Sequence, residues 1–456
     1  MRRVVKVSRI RIVMTIIVVI FVTLLTGCTG KEPNEIAYVV ALGIDSTDDD
    51  NYKITIQYAN TTQISGGASE SGGKAGSEIV DNVTIEAPNI YAGVGLANNI
   101  VSKSFSMSHA KLIVFSKEIA EKGVKDMIET LVRSEEIRPD VFIAVANTTA
   151  NDYLTSVNPE MEVNPAQYYQ LIYQKNQLVG IPDGQLREFF TGLYTDNYDS
   201  ILPVAGVIEG SGGNSQNDDK GQSKDGQNEG SEGSSESLDS FESKSSNEKD
   251  ENEKEKDAEK NTSKYEYDIK NYVGGETAIE KKNKAEAIGA AVFEKDKMVG
   301  ELGEVETEIC KMLKGDYTYS YLTYYNNDTP DIPITVKTTQ QKKPKYKIDT
   351  DKKTVDIELY IESDLYSLPA DYNVENKIED FERDVANYTS SACTEFINNF
   401  TKKYNSDILK LNEKVKYKFL TNNQYNWFKK NVGWSEYKFS VCTNFKVRRT
   451  GLIVRK

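Results

Sequence analysis

Between Glu209 and Ser263 the chain carries 16 acidic and 7 basic residues among Ser, Gly, Asn and Gln, and only Leu238, Phe241 and Ala258 are apolar. A segment so poor in apolar side chains cannot bury enough surface to offset the entropy of ordering its backbone. It reads as a disordered, solvated linker, spanning on the order of 40 Å if it behaves as a coil. This stretch limits what the rest can do, because it leaves two separate blocks, 28–208 and 264–456, each long enough for its own core. Two or three domains are expected, with no internal repeat relating them.

The N-terminus has the layout of an export signal. A basic segment (Arg2, Arg3, Lys6, Arg9, Arg11) precedes an apolar run from Ile12 to Leu25, broken only by Thr15 and Thr23. The run ends in Leu25, Thr26, Gly27 and Cys28, a lipobox, the pattern at which bacteria attach diacylglycerol to a cysteine. Processing there makes residues 1–27 a signal peptide and Cys28 the first mature residue. The alternative is an uncleaved anchor, for which the apolar run is short. Acyl chains on Cys28 hold a chain to a membrane because each buried methylene contributes about 0.8 kcal/mol. No later stretch is long and apolar enough to span, so everything after Cys28 is expected outside the cytoplasm. Loss of the signal takes five basic residues away and moves the formal net charge from −14 to −19. Such an acidic surface repels nucleic acid and anionic headgroups.

In the first block, Ile36–Ile44 and Tyr52–Tyr58 read as a hairpin around the turn Asp45–Asn51. A helix is expected from Pro88, with Ile90, Val94, Ala97, Ile100 and Val101 on one face. Met107–Ser116 reads as a buried strand, Glu118–Arg133 as a helix and Val141–Val145 as a strand, an order that permits a parallel crossover. Further helices are expected after Asn164 and Pro165 and over Leu186–Leu193. Beyond the acidic stretch, Ala287–Phe293 and Met298–Leu302 predict a second hairpin, Glu304–Leu313 a helix, and Ile334–Thr338, Lys345–Ile348 and Val355–Ile361 three strands. Val374, Ile378, Phe381, Val385, Tyr388, Ala392, Phe396, Phe400 and Tyr404 then recur every three or four residues. That stripe predicts one helix over about 373–404, roughly 45 Å long. A last strand alternates Phe439, Val441, Thr443, Phe445 and Val447 with polar residues. The fold class expected is α+β, with mixed or antiparallel sheets flanked by helices.

Candidate chemistry is sparse. His109 is the single histidine, so one possible base exists for a nucleophilic serine or cysteine, a His-rich zinc site is ruled out, and a structural role is the better reading. Cys310, Cys393 and Cys442 allow at most one internal disulfide, have no metal-ligand spacing and read as buried free thiols. Asp45, Asp48, Asp49 and Asp50 lack the spacing of a calcium loop and read as a solvated turn. Gly93 and Gly95 lack the strand and full glycine pattern of a nucleotide loop. No catalytic residue, cofactor or metal is expected.

Several short blocks together resemble one known family. They are the lipobox at Cys28, Glu35-Ile36-Ala37 through Ala41-Leu42-Gly43-Ile44-Asp45, and Ser108-His109-Ala110-Lys111, followed by Glu118-Ile119-Ala120 and Gly123. Ile137-Arg138-Pro139-Asp140 completes the first half. In the second half they are Gly289-Ala290-Ala291-Val292-Phe293, Asp296-Lys297-Met298-Val299-Gly300 and Lys446-Val447-Arg448-Arg449-Thr450-Gly451. In this shared order the chain resembles the Ger(x)C family of spore germination lipoproteins, the C subunits of nutrient germinant receptors. The resemblance implies a three-domain α+β fold, lipid-anchored to the outer face of the inner spore membrane. It implies no enzymatic activity, and as partners a multipass A subunit and a transporter-like B subunit. The acidic insertion at 209–263 departs from the family pattern. A solute-binding lipoprotein of a transporter is the alternative, for which repeated strand and helix alternation in two lobes is expected. A secreted hydrolase stands third, disfavoured by the shortage of histidine.

Overall fold

The computed structural model describes residues 13–18, 35–49, 51–59, 80–158, 162, 164–174, 180–195, 197–208, 271–277, 283–325, 333–367 and 377–450. The lipobox with Cys28, the acidic stretch 209–263 and Val374 of the predicted stripe lie outside them.

Apolar β-branched runs dominate the first sheet. Its strands are β1 (Ile36–Ser46), β2 (Tyr52–Ala59), β3 (Val80–Ala87), β4 (Ser104–Ser106), β5 (Leu112–Ser116), β6 (Phe142–Ala146), β7 (Ile201–Val207), β8 (Ala285–Glu294) and β9 (Lys297–Leu302). The order is β3-β2-β1-β5-β6-β7-β8-β9, with β4 beside β1. The middle strands β1, β5, β6 and β7 run parallel, and the outer pairs are antiparallel. Burial on both faces accounts for the apolar runs Leu112–Phe115 of β5 and Phe142–Ala146 of β6, in which every residue is buried.

Among the described residues six helices accompany this sheet: α1 (Ile90–Ala97), α2 (Lys117–Lys122), α3 (Lys125–Val132), α4 (Ala150–Ser156), α5 (Pro165–Gln174) and α6 (Leu186–Thr195). On one face Ile90 and Val94 of α1, Ile119 of α2, Ile128 and Leu131 of α3 and Phe189 of α6 pack with Leu42, Ile44, Ile113 and Phe115. On the other face Tyr153 and Leu154 of α4 and Tyr168 and Tyr169 of α5 pack with Val40, Val114 and Ala144.

The helix expected over Glu118–Arg133 is two helices. Gly123 between α2 and α3 has φ +123°, which an L side chain rarely adopts, and Val124 N–H leaves the helical ladder to donate to Asp296 O at 3.0 Å. The helix expected from Pro88 ends at Ala97, so Ile100 is exposed rather than on its buried face.

The sheet continues across the acidic interruption. β7 ends at Val207 and β8 begins at Ala285, yet they pair antiparallel with Ile201 opposite Val292. The hairpin read from sequence as the start of the second block therefore extends the first sheet. Gly206 of β7 lies so close to the Gly274–Gly275 backbone that a side chain there has no room.

The second sheet holds β10 (Tyr319–Tyr325), β11 (Pro333–Gln340), β12 (Lys345–Asp349), β13 (Thr354–Ser367) and β14 (Lys438–Arg449). Its ladders are antiparallel except for the long parallel pair β13–β14. Around it lie α7 (Glu304–Lys314), α8 (Ile378–Lys403), α9 (Leu411–Val415) and α10 (Asn422–Asn431). The predicted stripe is real: Phe381, Val385, Tyr388, Phe396 and Phe400 of α8 are buried, and Tyr324 of β10 meets Phe381 and Tyr388 edge-on. The fold is α+β, mixed sheets flanked by helices, as the sequence predicts. Among the described residues no helix is long and apolar enough to cross a membrane.

Candidate functional site

The residues that sequence reasoning singled out do not assemble into a reactive centre. Leu25, Thr26, Gly27 and Cys28 lie outside the described residues. His109 is exposed; its ring meets Tyr38 edge-on at 4.9 Å, and its Nδ1 is 3.0 Å from Ser108 Oγ. Cys310 and Cys393 are buried free thiols, and burial pushes each up to about 12. Cys442 departs from the expectation of burial. It sits on the outward side of β14, between the inward Val441 and Thr443, and is exposed.

Asp45 also departs from its expected place in a solvated turn. It belongs to the end of β1, is buried, and accepts the Ala150 and Asn151 N–H groups at 2.6 and 3.0 Å, closing the start of α4. Burial pushes its carboxyl up, against those two backbone donors. Among the described residues no three His, Cys, Asp or Glu side chains converge as metal ligands.

One polar recess among the described residues was not legible in the sequence. A cleft of about 620 Å³ opens where the β8–β9 turn (Glu294, Lys295), the segment after α6 (Tyr198, Asp199), the segment after α8 (Tyr404 to Asp407) and α10 meet. Two aspartates 208 residues apart hold it together. Asp407 N–H donates to Asp199 Oδ2 at 2.8 Å, and Asp199 N–H donates back to Asp407 O at 3.2 Å. Asp199 Oδ1 accepts Lys295 N–H at 2.9 Å, while Asp407 accepts Leu411 and Asn412 N–H at 2.8 Å each, capping α9.

Burial raises both carboxyls, Asp407 to about 7, in each case against two backbone donors. Beside them Lys410 bridges Glu188 at 2.7 Å and lies 4.2 Å from the Tyr198 ring centre. Burial pushes Glu188 up, but Lys314 and Lys410 outweigh it and leave its carboxyl below the usual range. Tyr425 and Lys429 of α10 both reach Asn197, at 3.1 and 3.2 Å.

Each oxygen of Asp199 and Asp407 is thus occupied by a backbone N–H. That suits a clamp that locks three chain segments together rather than an acid/base pair presented to a substrate. No local signal marks it: the N-cap position of α9 is held by Lys410, and Asp407 reaches the Leu411 and Asn412 N–H groups from three residues further back; its pairing with Asp199 has no signal either.

Comparison with known proteins adds to this geometry. The family model for the spore germination protein N-terminal domain matches residues 30–207, and that for the spore germination B3/GerAC-like C-terminal domain matches residues 288–451. The chain is similar to spore germination protein KC of Bacillus subtilis (strain 168), 27% identical over 173 residues, 35% of this chain and 42% of that protein. It is also similar to spore germination protein B3 of the same organism, 26% identical over 148 residues, 30% of this chain and 36% of that protein. The matched stretches thus span less than half of these relatives' own lengths. Among solved structures it is similar to that of the GerBC protein, with 15% identity and a TM-score of 0.47, covering 89% of this chain and 96% of that one.

Proposed function

Because the chain belongs to the Ger(x)C family of spore germination proteins, we propose that it is the C subunit of a nutrient germinant receptor, a non-enzymatic component acting with A and B subunits to trigger germination. The observation that carries this reading is the pair of family matches, which cover both blocks in chain order and stop on either side of the acidic stretch. Cys28 anchors it through its acyl chains to the outer face of the inner spore membrane. A non-catalytic role is supported by the cleft, whose paired aspartates serve as backbone acceptors.

The test is release of spore-core solutes after nutrient addition, in a background lacking other receptors. Wild-type spores, spores with Cys28→Ala and spores without the gene are compared. Both mutants are expected to stay dormant with nutrient and to germinate with a trigger that bypasses receptors. A deletion strain that still responds to every nutrient overturns the receptor reading. A Cys28→Ala strain that responds like wild type overturns the anchor alone.

A further inference from the structure

The chain is acidic as a whole, yet one end of its second sheet is not. Residues 345–353 and 410–430 together hold ten lysines against Asp349, Asp351 and Glu413, and three of the ten pair with glutamates outside these segments, Lys345 with Glu358, Lys353 with Glu436 and Lys410 with Glu188. The two segments are neighbours: Lys418 Nζ donates to Ile348 O, and Lys414 Nζ lies 4.6 Å from the Tyr346 ring centre. From this basic face three large apolar side chains project. Leu420 is 94% exposed, Tyr417 86% and Trp427 64%, and Leu420 and Trp427 line one open recess beside Phe419.

The fold holds these side chains outward. α10 turns Tyr425 and Phe428 inward, where Phe428 meets Phe419 at 5.0 Å and Trp434 at 5.8 Å. Trp427, one residue earlier, lies about 100° round the helix and so faces away. A single exposed leucine needs no explanation, but three such residues within one short segment ringed by lysine do. Lysine is depleted from the cores of protein interfaces. Apolar and aromatic tips surrounded by lysine are instead what binding at an anionic bilayer surface requires.

We propose that this face rests on an anionic lipid bilayer, with Trp427, Leu420 and Tyr417 in the headgroup region and Lys416, Lys418 and Lys430 against lipid phosphates. The contact is additional to the Cys28 anchor and fixes which way the domain faces. It rests on the proposed function only in placing the chain beside a membrane, and lipidation is read separately from the mass of the purified protein.

Trp427 and Trp434 are the two tryptophans of the chain, and Trp434 is buried. The test uses the full-length protein in phosphatidylcholine vesicles with and without phosphatidylglycerol, and takes the Trp427 signal as wild type minus Trp427→Phe. With phosphatidylglycerol, lipids brominated on their acyl chains should quench Trp427, and its quenching by aqueous iodide should fall severalfold. Lys416→Glu with Lys430→Glu should reverse both effects while the Trp434 emission, a report on folding, stays unchanged. Iodide access equal with and without phosphatidylglycerol overturns the proposal, as does a charge-reversed variant that behaves like wild type. Shielding of Trp427 that appears only when other receptor subunits are co-reconstituted also overturns it and makes the face a protein interface.

Discussion

The Asn398 side chain pairs with the backbone of Phe439 through both polar groups: its Nδ2 donates to Phe439 O at 2.9 Å, and Phe439 N–H donates to its Oδ1 at 3.1 Å. The pairing continues along α8. Thr394 Oγ1 accepts Val441 N–H, Ser390 Oγ accepts Thr443 N–H and Glu382 Oε1 accepts Val447 N–H, at 2.9–3.0 Å. Steps of four on the helix meet steps of two on the strand because four helical residues rise about 6 Å and two strand residues about 6.6 Å. A row of helix side chains thus takes the place of a neighbouring strand along the outer edge of β14 and blunts it against pairing with another chain.

Asn398→Ala leaves the Phe439 N–H and C=O without these partners and should cost about 1–3 kcal/mol. Thermal unfolding measures it. Adding Ser390→Ala and Thr394→Ala should expose a longer edge and promote concentration-dependent self-association, seen by light scattering. A triple variant as stable and monomeric as wild type would show that these contacts do not protect the edge.

Gly206→Ala should be far more damaging than a methyl group suggests. The new Cβ runs into the backbone of Gly274 and Gly275, which lies over β7 where β8 joins the sheet. Backbone cannot move aside as a flexible side chain does, so a loss of several kcal/mol is expected, within the upper range for overpacking. Gly95→Ala, where nothing lies within 4 Å, is the control and should be neutral or slightly stabilising.

Local periodicity made the elements legible and long-range pairing hid their arrangement. The stripe from Ile378 to Phe400 and the alternation from Phe439 to Phe445 were readable because each repeats one rule within a single element. The break at Gly123 was not, because the apolar spacing of Ile119, Val124 and Ile128 continues straight through it. The joining of β7 to β8 was hidden by the acidic stretch between them, and the polar row Glu382, Ser390, Thr394 and Asn398 looks like any solvated helix face. The Asp199–Asp407 clamp joins residues 208 positions apart, and no pattern in a single sequence links them.

The cysteines separate cleanly by strand face and helix burial. With Cys28 acylated as proposed and so blocked, a thiol reagent at neutral pH should label Cys442 alone, and labelling in denaturant should rise to three thiols per chain. Cys310 and Cys393 resist because burial both shields them and holds them as neutral thiols, each pushed up to about 12. Cys442→Ser should abolish native labelling. Rapid native labelling of Cys310 or Cys393 would mean that the core around α7 and α8 opens readily.

Stability should fall as pH rises from about 5 to 8. Burial raises Asp407 and Glu308, each to about 7, and raises Asp199 as well. A carboxyl whose folded value lies above its unfolded one binds more protons when folded. Its contribution is therefore complete below the unfolded value and is lost as pH climbs through the folded one. Between pH 5 and its folded value of about 7, at about 1.4 kcal/mol per pH unit, Asp407 alone sets a ceiling of roughly 3 kcal/mol on the loss. Asp407→Asn keeps one acceptor for the α9 cap but cannot ionise. It should lower stability at pH 5 yet shrink the difference in Tm between pH 5 and pH 8. An unchanged difference would mean that Asp407 is already ionised at pH 5 and that its backbone donors outweigh burial.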